Sequence, residues 1–419
     1  MRNELALAKE LDFKDPLKNF RRKFVNNINE IYLDGNSLGK LPKSSVQNIN
    51  KAVNFHWGKN LIRSWNDHWL NLIERVSSKL EILFNANKNE ITIGESTSVF
   101  LHQILTALIN SNKYQKHLIS DNLNFPSDIY IMNRISEINK SVRLTIIKYN
   151  SDIEADLKKL KNKIKSNPGI ICLSLVTYKS SWIYPMKEIN DWALMHKSII
   201  VWDLSHASGV IDLNFKNSQT LIAVGCTYKY LNGGPGSPAF LYIQRNILKS
   251  LHNPISGWFG HSNPFLFSEK FKPSIGIKKF LNGTPSIISV VAMEAGIDIT
   301  IEAGTKFIEN KSKQQSEMLK KLIIKHLIPY GFKLESPIEV KNRGSHISIS
   351  HSESWRICKA LQKEKPLIIT DYRPPRFIRI GISPLYIRYI DIVNTVIRLV
   401  EIVKNKKYLN FTHQKTIVS

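Results

Sequence analysis

Between residues 91 and 243 the chain alternates short, unbroken apolar runs with amphipathic stretches, and this alternation constrains its fold more than any other feature. "ITIG" (91–94) reads as a strand and leads into the helix-like "STSVFLHQILTALIN". "HLISDN" (117–122) with "FPSDIYIMNRISEI", and "GIICLSLV" (169–176) with "EINDWALMHK", repeat the pair. "SIIVWDLSH" (198–206) and "LIAVGCTYKY" (221–230) are two further apolar runs that end in polar residues. Strands that do not alternate apolar with polar residues are covered on both faces. The pattern therefore predicts an α/β fold, with a mostly parallel sheet between helices. Ligands of such sheets lie beyond the carboxyl ends of the strands, and each polar cluster falls at such an end.

After about residue 285 the texture changes. "SVVAMEAGIDITIEAGTKFIENKSKQQSEMLKKLIIKHL" reads as long helix, followed by strand-like "HISISH", "LIITDYR" and "FIRIGIS" and a last helix from about residue 390. The expected organisation is an N-terminal segment (1–50) that joins the small domain, a large domain (51–285) and a small C-terminal α+β domain (286–419).

Composition excludes several function classes. The net charge of +25 raises the question of nucleic acid. The lysines, however, are scattered along helix-like stretches ("KNKIKSNPG", "LKKLIIKHLI") with no block of interleaved aromatics, so no nucleic-acid partner is expected. There is no run of 18 apolar residues, hence no expected membrane contact. The start, "MRNELALAKELDFKDPL", has no apolar core of a secretory signal. Three widely spaced cysteines, Cys172, Cys226 and Cys358, make neither a disulfide framework nor a CxxC metal site. A reducing cytoplasm is the expected location, and no metal is expected.

Three features at the strand ends point to one chemistry. Asp203 closes "IIVWD", where a carboxylate is costly unless it meets a cation or strong donors. Lys229 follows 26 residues later, at the end of the next apolar run, between two tyrosines and before "LNGGPG". Thr97 and Ser98 stand where a strand turns into a helix, a place that can hold an anion. Singly, each has an ordinary reading: a structural carboxylate, a surface lysine, a helix cap. Jointly they suit pyridoxal phosphate, which needs its phosphate cradled, its ring nitrogen paired with a carboxylate and its aldehyde joined to a lysine.

At this point the chain resembles the kynureninase family. The motifs are "YLDGNSLGKLP" (32–42), "LIRSWN" (61–66), "FPSD" (125–128), "WDLSHASG" (202–209), "YKYLNGGPG" (228–236), "GWFGH" (257–261) and "IRIGISPLY" (378–386), spread over nearly the whole length. The resemblance implies a fold-type-I pyridoxal-phosphate enzyme with a seven-stranded-type central sheet, acting as a homodimer. The implied reaction is hydrolytic cleavage of L-kynurenine to anthranilate and L-alanine. Lys229 would anchor the cofactor and move the substrate's Cα proton. Asp203 would pair with the ring nitrogen and His206 would sit beside it. Phe125 would stack on the ring, with Pro126, Ser127 and Asp128 completing that turn. Thr97, Ser98, Ser174, Tyr228, Trp258 and Thr284 would also contact the cofactor, with Trp258 and Thr284 supplied by the partner subunit. Arg379 would bind the substrate carboxylate, with Arg373 its nearest rival. Ser37 and Tyr228 would serve the carbonyl and its hydrate. Trp65 and Thr284 match the bacterial type, which implies kynurenine in preference to 3-hydroxykynurenine.

The chain departs from the family pattern at Ser180 and Ser181, where Thr-Gly is usual, and at Thr177. Within the same fold, an aminotransferase or a cysteine desulfurase is the alternative reaction. A desulfurase needs a cysteine on a mobile loop, whereas Cys358 lies in the helix-like "SWRICKAL". A basic nucleic-acid binder built on an inactive enzyme fold is the alternative from another class.

Overall fold

The computed structural model describes residues 1–414. Seven strands form the central sheet: β2 (Ile91–Ile93), β3 (His117–Asp121), β4 (Arg143–Ile147), β5 (Ile170–Ser174), β6 (Ile199–Asp203), β7 (Ile222–Gly225) and β8 (Phe240–Ile243). Glu30–Tyr32, nearer the N-terminus, is β1. The order across the sheet is β2-β8-β7-β6-β5-β3-β4. β4, β3, β5, β6 and β7 run parallel, and β8 pairs antiparallel with both β7 and β2. The α/β reading with a mostly parallel sheet therefore holds.

Every residue of β3, β5, β6 and β7 is buried. Because successive side chains point to opposite faces, Ile171, Leu173, Ile200 and Trp202 enter one core, against the helix Leu72–Leu83. Ile170, Cys172, Ile199 and Val201 enter the other, against the helix Thr97–Asn110. Two cores on one sheet explain why these runs are continuously apolar.

A third core surrounds a four-stranded antiparallel sheet. Its strands are β9 (Lys333–Leu334), β10 (His346–Ser350), β12 (Asp371–Arg373) and β13 (Phe377–Gly381). β11 (Leu367–Ile369) instead pairs in parallel with β1. "LIITDYR", expected as one strand, is thus two short strands that change partner at Thr370. The expected single long helix is also two, Ile287–Ala303 and Thr305–His326. They break at Gly304, whose φ of +78° is left-handed backbone that glycine adopts without strain. The N-terminal helix Arg2–Lys14 lies on the helix Tyr389–Lys404, and Asp12 accepts from the backbone of Tyr389 and Ile390 at 2.7 and 3.0 Å.

Candidate active site

At the carboxyl ends of the central strands lies a cavity of about 400 Å³. Each strand delivers a polar group by ending there. Thr97 and Ser98 follow β2, the "FPSD" turn follows β3, Asp203 ends β6, and Lys229 lies four residues beyond β7.

The helix after β2 is capped by Ser96, whose Oγ accepts from Val99 N at 3.4 Å. Thr97 and Ser98 are therefore the first helical residues, and capping does not occupy their hydroxyls. Ser98 Oγ stands 3.2 Å from Ser127 Oγ, so two helix starts place hydroxyls together on the cavity wall. Gly236, opposite, holds a φ of +69°. Left-handed backbone is the reason a glycine follows Lys229 here.

Lys229 Nζ donates to His206 Nε2 at 3.0 Å and lies 5.8 Å from the Phe125 ring centre. Burial and the charge of Lys229 push His206 well below the ordinary imidazole range, so the ring is a neutral acceptor. Asp203 is buried but well supplied with donors. Its Oδ1 accepts from Ser205 N at 2.9 Å and Ser205 Oγ at 2.5 Å, and Ser174 Oγ lies 3.5 Å from Oδ2. Asp128 contrasts with it. Its Oδ2 is buried without a partner, and desolvation together with the Asp203 charge pushes its carboxyl well up. Asp203 is thus held by several donors, while the carboxyl of its neighbour Asp128 is driven toward the acid. Burial, with Cys226 adding to it, also pushes the Tyr228 phenol up and keeps it protonated.

Phe125 is the N-cap of the helix Pro126–Ile138, with Pro126 at its first position, where a missing N–H costs nothing. Asn124 fixes this turn. Its Oδ1 accepts from Phe125 N at 2.8 Å, Ser174 N at 3.1 Å and Ser174 Oγ at 2.5 Å. The sequence reading missed Asn124 and Ser205; their only signal was a polar residue beside a strand end.

A second corner adjoins through Tyr178, whose ring meets Phe125 edge-on at 5.3 Å. The Tyr178 carbonyl accepts from Arg379 Nη1 at 2.7 Å, and Arg379 Nη2 lies 3.3 Å from Ser37 Oγ. Arg379, on β13, is fully buried and ion-paired with Asp371. The structure so brings Ser37 and Arg379 together beside the cavity. The side chain of the rival, Arg373, is 41% exposed.

Trp65, Trp258 and Thr284 are not on the cavity wall of this chain. Trp65 packs on Trp69 and Phe259, Trp258 donates through Nε1 to the Pro264 carbonyl, and Thr284 is exposed. At the departures, Ser181 adopts φ +67° and its Oγ accepts from His346 N at 3.3 Å. Thr177 and Ser180 bond to each other at 2.7 Å. The serines keep a shape that glycine would take without strain, and tie it to β10.

Residues 308–399 match the model of the kynureninase C-terminal domain. Over 97% of its length the chain is 32% identical to the kynureninase of Burkholderia mallei, of which the match covers 96%. It is 31% identical to that of Pseudomonas fluorescens, over 95% of each chain. Among solved structures it resembles the apo cysteine desulfurase of Thermococcus onnurineus, with a TM-score of 0.77, 17% identity and coverage of 95% and 98%. It also resembles C-DES, solved with glycine covalently linked to its PLP cofactor, at a TM-score of 0.80, 18% identity and coverage of 91% and 99%. The structural likenesses share the fold; the sequence likeness extends through both the Lys229 cavity and the Arg379 corner, and on that ground the chain belongs to the kynureninase family.

Proposed function

We propose that this protein is a pyridoxal-phosphate-dependent hydrolase that cleaves L-kynurenine to anthranilate and L-alanine. The observation that carries the reading is Lys229 held by neutral His206 in the same cavity as the donor-supported Asp203. The residues fit the cofactor. The hydroxyls of Thr97, Ser98 and Ser127 on the cavity wall suit its phosphate, the Phe125 ring suits its face, and Asp203 suits its ring nitrogen. The unpartnered Oδ2 of Asp128 is a buried polar atom that a bound ring system would cover. When bound, pyridoxal phosphate supplies an electron sink for a carbanion at the substrate's Cα.

The chain's own groups do the rest. Arg379 binds the α-carboxylate through guanidinium donors. Lys229 takes the proton from Cα and returns one at the end. His206, as a neutral acceptor, orients the lysine amine. Asp203 keeps the ring nitrogen charged. The Tyr228 phenol, protonated throughout, donates to the γ-carbonyl oxygen as water adds, and Ser37 supports the same oxygen. Collapse of the hydrate breaks Cβ–Cγ: the hydrate becomes the carboxylate of anthranilate, and the proton brought in by the water goes to Cβ.

Trp258 and Thr284 act on the partner subunit's cofactor in a homodimer. This is supported by the exposed aromatic cluster of Trp258, Phe265 and Phe267 on one chain. Trp65 and Thr284 favour kynurenine over 3-hydroxykynurenine, since an aromatic wall suits an unsubstituted aniline. Residues 1–50 and 286–419 work as a small domain, most of whose described core residues belong to the third core, and 51–285 as the large one; Val290, Val291, Met293 and Ile297 of the helix Ile287–Ala303 reach into the large domain's core. Among the described residues no helix is long and apolar enough to cross a membrane, which is compatible with a cytoplasmic enzyme. A desulfurase reading is disfavoured because Cys358 is buried in the helix Ser354–Leu361 and burial pushes its thiol up to about 12. Anthranilate fluorescence on adding L-kynurenine tests the proposal. The cofactor-loaded protein forms anthranilate and Lys229→Ala does not. A loaded protein that forms none defeats it.

A further inference from the structure

The substrate-carboxylate corner contains a residue that no motif singled out. On the antiparallel pair β12–β13, Asp371 and Arg379 are direct cross-strand partners. The backbone register therefore sets them side by side before any side chain is considered. Asp371 Oδ2 receives both Nε and Nη2 of Arg379, and also Nε of Arg373 at 3.0 Å. Arg379 Nη1 is tied to the Tyr178 carbonyl at 2.7 Å. A guanidinium has five N–H donors in one plane. Its Nε side and one outer Nη1 position are taken, leaving the edge between Nη1 and Nη2. Among the described residues Ser37 Oγ accepts from Nη2 there at a long 3.3 Å, a position an incoming carboxylate can take.

We propose that Asp371 is a positioning residue for substrate recognition: it grips Arg379 along the Nε–Nη2 side, so that the Nη1–Nη2 edge faces the substrate's α-carboxylate. The proposal rests on the reading of Arg379 given above. Its strength comes from burial. Arg379 is fully buried and carries a charge that must be matched. The neighbouring carboxyl that could replace Asp371 is Asp34, half-buried beside Ser37, with its buried Oδ1 unpartnered. Without Asp371 the guanidinium turns toward Asp34, and its free edge turns away from the substrate. The long Ser37 contact fits the same scheme, because Ser37 can release Arg379 and turn to the carbonyl when the carboxylate arrives.

The test uses the cofactor-loaded protein and two unreactive ligands in calorimetry. One is the desamino analogue of kynurenine, which keeps the carboxylate; the other is the matching aryl ketone without it. Asp371→Asn is expected to weaken the carboxylate ligand by roughly 10-fold or more while leaving the ketone within about 2-fold. The KM for kynurenine rises with kcat much less changed. Asp371→Glu, which keeps the charge one methylene out of place, gives an intermediate loss confined to the carboxylate ligand, and it serves should the Asn variant fail to fold. Equal weakening of both ligands, an unchanged affinity, or tighter carboxylate binding overturns the proposal. Arg379→Lys separates the two readings. If it costs carboxylate affinity while the Asp371 variants do not, positioning by Asp371 fails and the role of Arg379 stands. If Arg379→Lys does not distinguish the ligands either, the role assigned to Arg379 fails.

Discussion

At the scale of single residues, Ser181 is an exception to the usual backbone rules. It holds φ +67° without being glycine, and its hydroxyl bonds to His346 N. The backbone cost and the bond oppose each other, each worth about 1 kcal/mol. Ser181→Ala keeps the cost and loses the bond, so it destabilises by about 1 kcal/mol. Ser181→Gly loses both and is close to neutral. Thermal melts of the two variants check the order, and an alanine variant as stable as the glycine variant contradicts it. Asp34 gives a pH prediction. Desolvation, aided by Asp371, raises its carboxyl to about 6, against an unfolded value near 4. The folded state therefore binds the extra proton, and stability falls as pH rises from about 4 to about 6, then levels. Asp121 is raised by burial into the same window, so Asp34→Asn makes the fall shallower without abolishing it. An unchanged slope in denaturant titrations across that window contradicts the assignment.

At the scale of elements, Gly304 divides two helices that composition alone joins. Gly304→Ala places a Cβ in left-handed backbone and costs about 1 kcal/mol or more, read as a lowered melting temperature. An unchanged melting temperature means that the break does not depend on glycine. The same site shows what a sequence can and cannot reveal. The central strands were legible because burial on both faces writes an unbroken apolar run, as in "IIVWD". Their polar ends were legible as a cavity because strand ends are where such sheets bind ligands. The break at Gly304 was hidden by good helix formers on both sides. The division of "LIITDYR" was hidden because a strand does not announce its partner. Asp371 escaped for a related reason: its role depends on which residue stands opposite, and register is a property of two segments together. Asn124 reaches across to Ser174 on β5 and Ser205 supports the Asp203 carboxylate, and a polar residue near a turn has many commoner explanations.

At the scale of the whole molecule, the cavity of one chain holds the two helix starts after β2 and β3 and the residues at the ends of β6 and β7, but not Trp258 or Thr284. If these act on the partner's cofactor, inactive subunits complement each other. Lys229→Ala and Trp258→Ala proteins, mixed through refolding, form hybrid dimers with one intact site, and about a quarter of the wild-type activity returns for a random mixture. No recovery on mixing places Trp258 in its own subunit's site. Lys229 follows a strand of the central sheet and Arg379 lies on β13 of the small sheet, so under the proposed roles substrate would contact both parts of the chain at once.

The central claim is that Lys229 anchors the cofactor. Borohydride reduction of the pyridoxal-phosphate-loaded protein, followed by peptide mapping, tests it most directly. Among the described residues Lys40 and Lys311 are more buried than the partly exposed Lys229, and many lysines are exposed, so the result is informative. The account predicts one reduced pyridoxyl group per chain, on the peptide that contains Lys229. A label on Lys40 or Lys311, or one spread over surface lysines, contradicts it.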